Sequence, residues 1–444
     1  MTDEKLFEVL GDVNEQYVKQ AHEVAPKAAK PAWVKWSAIA ACLAVMAYAG
    51  VRFFLQKAPE ETPESPVLQE QGADSDSTGN ASESPALPEN GNGTDSASEA
   101  SDLPMLTVGD NTSSSMGFEG YLAYNSSELV NANPWNESLA LSTLPVYRNL
   151  LTYDESSIAS GADWGKMRSL LLEVAERLGL DTDSVTVTDN TPDEELKQQI
   201  IEKFEAVGDT VPDGYFDPTE LIVEADGLRI TVDQSMTVAV SFQPAIALPE
   251  AYHFTADASS YEEMEAVAEY LKTEYRDFIG MENPQVNIYG GDYTYDGQQM
   301  YRIEFFDASG TDAEQIVQYN FDRVAFYCND EGELFLARVY QPDLSEKVGD
   351  YPIITSEQAL ELLVNGTYLT TVPYEMPGAE YVKKVELVYR TGQQETYYMP
   401  YYRFYVELPE AEQENGLKTY GAYYVPAVSA AYLSDFPTSG TNFN

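Results

Sequence analysis

The sequence predicts an α+β protein whose folded part is carried on a single membrane-spanning helix. Three observations lead there. Sixteen uncharged residues, 36–51, lie between Lys35 and Arg52. Residues 58–117 contain no Lys, Arg or aromatic residue. From about Phe118 onward, helix-start signals alternate with short strand patterns and Asp-Gly turns. The expected architecture is an N-terminal transmembrane helix, a disordered acidic stalk, and two or three units of a helix packed on an antiparallel β-meander.

Residues 1–35 read as a cytoplasmic segment. Leu6, Leu10, Val13 and Tyr17 share one face of an amphipathic helix that lies near the membrane or docks a cytoplasmic partner. A spanning helix needs about 20 apolar residues. Snorkelling of Arg52 lets Phe53, Phe54 and Leu55 extend the run, which sets the span at 36–55. Trp33 and Trp36 suit an interface. Ala47-Tyr48-Ala49 also fits a signal-peptidase pattern, but the preceding segment is long and acidic and VRFFL after it stays apolar. Lys19, Lys27, Lys30 and Lys35 precede the span and Arg52 and Lys57 follow it, so the N-terminus is expected in the cytoplasm and the bulk outside the plasma membrane.

Charge is split along the chain. Residues 1–57 hold seven basic and six acidic residues, whereas the remainder holds 18 basic and 68 acidic. Such a surface repels phosphate backbones, which argues against nucleic acid as a partner. The linker at 56–117 is too polar to offset its chain entropy and reads as a stalk.

Three α+β units follow, at 118–248, 249–345 and 346–434. The first carries a helix at about 163–179 and a second starting at Thr191, with Pro192 at its first position and Glu194 completing a capping box. Strands LIVEA, LRITV and MTVAVSF come next, the first two joined at Asp226-Gly227. The second unit opens with a capping box at Ser260, a helix to about Ile279, and strands near 285–289, 299–306, 315–327 and 333–340. The third opens with a capping box at Thr355, with strands near 382–390, 400–408 and 418–426. Ser260 to Gly297 and Thr355 to Gly392 both span 37 residues, each glycine opening a GQQ turn before an aromatic strand with Tyr-Arg, which suggests a repeat.

Chemical motifs are sparse. The chain lacks a G-x-S-x-G elbow, H-E-x-x-H, a P-loop and a complete EF-hand loop. Two cysteines, Cys42 and Cys328, and two histidines, His22 and His253, do not make a zinc cluster, and the cysteines are not expected to pair. Asp181 and Asp183 suit a turn better than a calcium site. No cofactor or metal is expected. Residues 368–432 hold 13 of the 32 tyrosines. On the strand at 401–408, Tyr402, Phe404, Val406 and Leu408 form the core face. Tyr401, Arg403 and Tyr405 on the other face are either a cross-strand ladder or a flat surface for a partner or glycan, and they are the candidate ligand residues.

YPIITSEQALELLV, followed by YMPYYRFYVEL and YGAYYVPAV, resembles the C-terminal units of YycH/YycI-type regulators. That resemblance implies a bitopic bacterial protein with an extracytoplasmic α+β domain that modulates a sensor kinase, partly through its span. The start, LFEVLGDVNEQYVKQAHEV before a Lys-flanked span, is similar to single-pass proteins of Gram-positive gut bacteria, and the layout resembles transmembrane anti-sigma regulators. The expected function is a non-enzymatic, membrane-anchored extracytoplasmic binding or regulatory protein with a protein partner in the membrane or envelope. Alternatives are a cell-wall glycan binder using the tyrosine-rich strands, an anti-sigma-like regulator and, last, a carboxylate-dependent hydrolase.

Overall fold

The computed structural model describes residues 103–108, 122–123, 131–153 and 159–435, interrupted at 207, 209, 257–258, 294–298, 371, 373, 393–394 and 413–417. The expected cytoplasmic segment, the span at 36–55 and residues 56–102 of the linker lie outside the described residues. Among the described residues no helix is long and apolar enough to cross a membrane.

The chain runs through β1 (Leu122–Ala123), β2 (Thr143–Arg148), a short hairpin β3 (Thr152–Tyr153) and β4 (Ala159–Ser160), then α1 (Trp164–Arg177). After β5 (Val187–Asp189) and α2 (Glu194–Ala206) comes the meander β6 (Glu220–Ala225), β7 (Leu228–Asp233) and β8 (Thr237–Ile246). Helices α3 (Tyr261–Glu274) and α4 (Arg276–Ile279) precede β9 (Pro284–Tyr293) and β10 (Gln299–Asp307). Helix α5 (Asp312–Phe321) leads into β11 (Arg323–Cys328) and β12 (Leu334–Tyr340). The rest is β13 (Lys347–Pro352), α6 (Ser356–Val364), β14 (Val382–Tyr389), β15 (Tyr397–Tyr398), β16 (Pro400–Glu407) and β17 (Thr419–Pro426).

Local signals explain most helices. Asp163 caps α1 by accepting from the Gly165 and Lys166 amides. Met167, Leu170, Leu171, Val174 and Ala175 of α1 are buried, at the spacing of one helical face. Capping boxes at Ser260 with Glu263 and at Thr355 with Gln358 start α3 and α6 as expected. Helix α2 begins later than expected: Asp193, not Thr191, accepts from the Leu196 amide at 2.8 Å. The expected strand at 315–327 is divided. Its first half is α5, started by a capping box of Thr311 and Glu314, and only 323–328 is strand. Ile316 and Tyr319 are buried on α5 at helical spacing, so the apolar run there has a period of 3.6 rather than 2. Asp181 closes a turn by accepting from the Asp183 amide.

An antiparallel sheet of eight strands has the order β5-β6-β7-β8-β12-β11-β10-β9. Its first face packs on α1, α3 and α4 through Val240, Ile303, Phe305, Phe326 and Val339. The boundary expected at 248/249 therefore falls within one sheet, because β8 and β12 are hydrogen-bonded neighbours. All described residues belong to one compact unit. A four-stranded sheet, β1-β17-β16-β14, packs on α6 through Phe404, Tyr423 and Leu363. A third sheet, β13-β2-β15, joins residues from both ends of the folded part. Both α3 and α6 precede three strands that are consecutive in a sheet, β9-β10-β11 and β14-β16-β17, with α5 inserted only in the former.

Residues 103–108 correct the expected linker, which was to run to 117. Leu106 is fully buried and Val108 nearly so. The Leu106 amide donates to Tyr432 O at 2.8 Å, Ser434 N donates to Leu106 O at 2.8 Å, and Val108 N donates to Asp435 Oδ1 at 2.8 Å. A low aromatic content across the whole stretch concealed this short apolar plug, PMLTV. Leu106→Ala should cost about 2–5 kcal/mol in chemical denaturation, the usual range for a buried leucine. A deletion of 60–110 should destabilise at least as much. An unchanged midpoint for either variant would return 103–108 to the linker.

Candidate ligand surface on the long sheet

The expected strip of Tyr401, Arg403 and Tyr405 is not a surface. Tyr401 is 0% and Tyr405 6% exposed. Strand β16 lies between β14 and β17, and its second face is covered. Tyr401 packs with Leu106, Val146, Tyr351 and Leu433, which come from distant parts of the chain. Burial pushes the Tyr401 hydroxyl above the ordinary tyrosine range. Arg403 stacks over the Tyr405 ring at 5.1 Å and donates from Nη2 to Glu386 Oε2 at 2.6 Å. Lys384 Nζ and Asn131 Nδ2 each lie 2.6 Å from the other oxygen, Oε1. Burial pushes the Glu386 carboxyl up, but Arg403 and Lys384 outweigh it and hold the group below the usual glutamate range. The strip is the cross-strand ladder of the two readings.

The second face of the eight-stranded sheet is different. Alternation along each strand sets it opposite the apolar core: Arg302 lies between Tyr301 and Ile303, Arg338 between Ala337 and Val339, and Arg229 beside Ile230. Register then brings arginine and tyrosine together. Arg302 pairs with Tyr289, and Arg323 with Tyr340. Arg302 lies 5.6 Å from the Tyr289 ring, Arg323 4.8 Å from Tyr340, and Arg338 5.5 Å from Tyr327 on the diagonal. The Tyr327 and Tyr340 hydroxyls are 3.1 Å apart, and burial pushes the Tyr327 hydroxyl up. Each cation–π contact contributes about 0.5–2 kcal/mol depending on its desolvation.

One corner of this face is closed. Glu304 is buried and accepts from Arg323 Nη1 at 3.2 Å, the Ala132 amide reaches Asn287 Oδ1 at 2.8 Å, and Phe306 packs edge-on to Tyr319 of α5. Away from that corner Arg302 is exposed, Tyr289 is 38% exposed, and Arg338, Ser241, Thr231 and Arg229 are half-buried. The face thus mixes stacked arginine and tyrosine with serine and threonine hydroxyls and with the carboxylates of Glu224 and Glu304, a set of groups that can hydrogen-bond a polar partner. The sequence reading passed over it. Its signal is the Arg/Tyr alternation with apolar residues in 301–305, 323–327 and 336–340, which only cross-strand register assembles into a patch.

The larger cleft, about 310 Å³, lies between β2, β13 and α5. Its ionisable groups hold one another or the backbone. Lys347 pairs with Asp350 at 2.8 Å, and Glu314 accepts from the Thr311 amide at 2.7 Å, which lowers its pKa. A second cavity, of about 20 Å³, is water-sized. Among the described residues no group of three or more His, Cys, Asp or Glu is placed to hold a metal ion. Comparison of the sequence with protein-family models and with curated proteins finds no match.

Proposed function

We propose that this chain is a non-catalytic binding and regulatory protein of the cell envelope. A single span at 36–55 anchors it, with the N-terminus in the cytoplasm and the folded part outside. One observation carries the reading of the folded part: outside its closed corner, the second face of the eight-stranded sheet presents arginines stacked on tyrosines, with Arg302 and Tyr289 exposed. Catalytic sites gather acids, bases and nucleophiles in a concavity with perturbed proton affinities. A flat face of fixed, partly desolvated side chains suits recognition of a partner. The anchor reading is supported by the uncharged run and its flanking lysines. The likeness to YycH/YycI-type regulators in the C-terminal strands supports a role beside a membrane signalling protein.

Topology is the direct test. Protease added outside intact cells should remove the residues beyond about 58 and leave a small membrane-bound fragment. Protection of the bulk would reverse the orientation, and a mature N-terminus at Gly50 would replace the anchor with a cleaved leader.

A further inference from the structure

We propose that residues 103–108 form a releasable strap, and that the groove they fill also takes the same segment from a second copy of the chain. The inference concerns the described residues alone and goes beyond the reading above, since it names a partner and the segment exchanged.

Sequence context is the first argument. Leu103-Pro104-Met105-Leu106-Thr107-Val108 is a short apolar stretch between polar ones. Residues 89–102 consist of Glu, Asp, Asn, Ser, Thr, Gly and Ala, and residues 109–115 of Gly, Asp, Asn, Thr and Ser. Flanks of that composition have little apolar surface to bury. The strap belongs to no helix or strand and bridges in parallel to Leu433. The groove thus recognises a few extended residues and not a folded unit.

Geometry is the second argument. The segment is held as an added strand is. Leu106 and Val108 are buried, whereas Met105 and Thr107 are exposed. The Leu106 backbone is bonded on both sides: its amide donates to Tyr432 O at 2.8 Å, and its carbonyl accepts from the Ser434 amide at 2.8 Å and from Ser434 Oγ at 3.0 Å. The Val108 amide donates to Asp435 Oδ1, and the Tyr351 hydroxyl donates to Pro104 O at 2.8 Å. Gly349 provides a notch, because a side chain there would collide with Leu103 Cδ2. Main-chain bonds combined with pockets for alternate side chains are a general mode of capturing an extended peptide.

The occupant is the third argument. Val146, Tyr351, Tyr401 and Leu433 share a core cluster with Leu106, and these and the bonded residues above all come from β2 or later in the chain. Recognition therefore runs through non-covalent contacts that the same segment of another copy reproduces atom for atom. Exchange of an identical element needs no new contact, which makes it a low-cost route to a dimer. Thirteen residues, 109–121, separate the strap from β1, a length of chain that spans up to about 45 Å. The tethered strap competes at an effective concentration of about millimolar. The self-closed copy accordingly dominates in dilute solution, and exchange grows as copies are crowded.

The test uses the full-length chain in detergent, a peptide of residues 101–110, and the same peptide carrying Leu106→Asp. In the chain, Leu106→Asp should vacate the groove, because an unpaired carboxylate is costly to bury. The 101–110 peptide should raise the melting temperature of that variant as its concentration rises, as a ligand of the folded state does. It should bind the variant about tenfold or more tightly than the wild type, whose own strap competes. The Leu106→Asp peptide should do neither. If the variant stays unfolded at every peptide concentration, the wild type decides. Two differently tagged batches, mixed and concentrated, should form mixed pairs that the 101–110 peptide disperses and the Leu106→Asp peptide leaves intact. A folded Leu106→Asp chain that ignores the 101–110 peptide would make the strap a fixed part of the core and overturn its release. Absence of mixed pairs, or mixed pairs indifferent to the peptide, would overturn exchange between copies. None of these outcomes depends on the orientation of the span, so this inference and the envelope reading fail separately.

Discussion

Replacing Tyr401 and Tyr405 together with serine is expected to unfold most of the protein under ambient conditions. Truncating a large buried aromatic costs about 3–5 kcal/mol. Two such losses approach the whole stability of an ordinary domain, about 5–15 kcal/mol. The physical reason is what covers them. Tyr401 is walled in by Val146 and Tyr351 of the third sheet and by the Leu106 and Leu433 contact, and it packs edge-on to Tyr424 at 6.4 Å. Tyr405 lies beneath the Arg403 guanidinium and pairs across the sheet with Lys384 and Ala422. The two tyrosines are on one strand and their effects need not add. Chemical denaturation of the single and double variants measures this. A double variant with a wild-type midpoint would show that the face is open to solvent after all.

Arg403→Met should cost about 3–5 kcal/mol, because it leaves a buried carboxylate short of its main partner. Glu386 is 2% exposed and faces Arg403 directly across β14 and β16. Arg403 contributes two donors, Nε at 3.1 Å and Nη2 at 2.6 Å, both to Oε2. Among the described residues, Lys384 and Asn131 would remain as its partners. Replacing Glu386 with Leu in the same chain should recover part of the loss, since an unpaired charge costs more than an apolar substitute. The pair also predicts acid sensitivity. The folded-state pKa of Glu386 is lowered. Its contribution is therefore complete above the unfolded value, about 4.3, and falls away as pH drops through the lower folded value. Wild-type stability should decline over that acid range, and Glu386→Leu should flatten part of the decline. A decline of the same size in both would assign the acid sensitivity to other carboxylates.

The helices were legible where a cap and a periodic face coincide. Ser260, Thr355 and the apolar positions of α1 are local signals, each settled within a few residues, and the Asp226-Gly227 turn is of the same kind. Helix α5 was misread because its aromatic and β-branched residues suit a strand, and the capping box at Thr311 was overlooked. The candidate site was misplaced for another reason. The Tyr-rich strand has two apolar faces, and composition favours it as a surface only while nothing is known to cover the second.

By itself, the sequence determined the α+β class, the antiparallel strands, most helix starts and the concentration of acid outside the first 57 residues. Those properties follow from periodicity, capping and charge, which act over a few residues or over the whole chain. Only the tertiary structure decided which strand faces are covered and which are open. Tyr351 donates its hydroxyl to Pro104 O at 2.8 Å across 247 residues, and the Val108 amide reaches Asp435 across 327. Contacts of that length close the face of Tyr401. Register across eight strands likewise gathers Arg302, Arg338 and Arg229 from separate hairpins. A strand's own residues state that it has two faces; what lies against each is set by segments far away in the chain, because the free energy of burial depends on area removed from water and not on sequence distance.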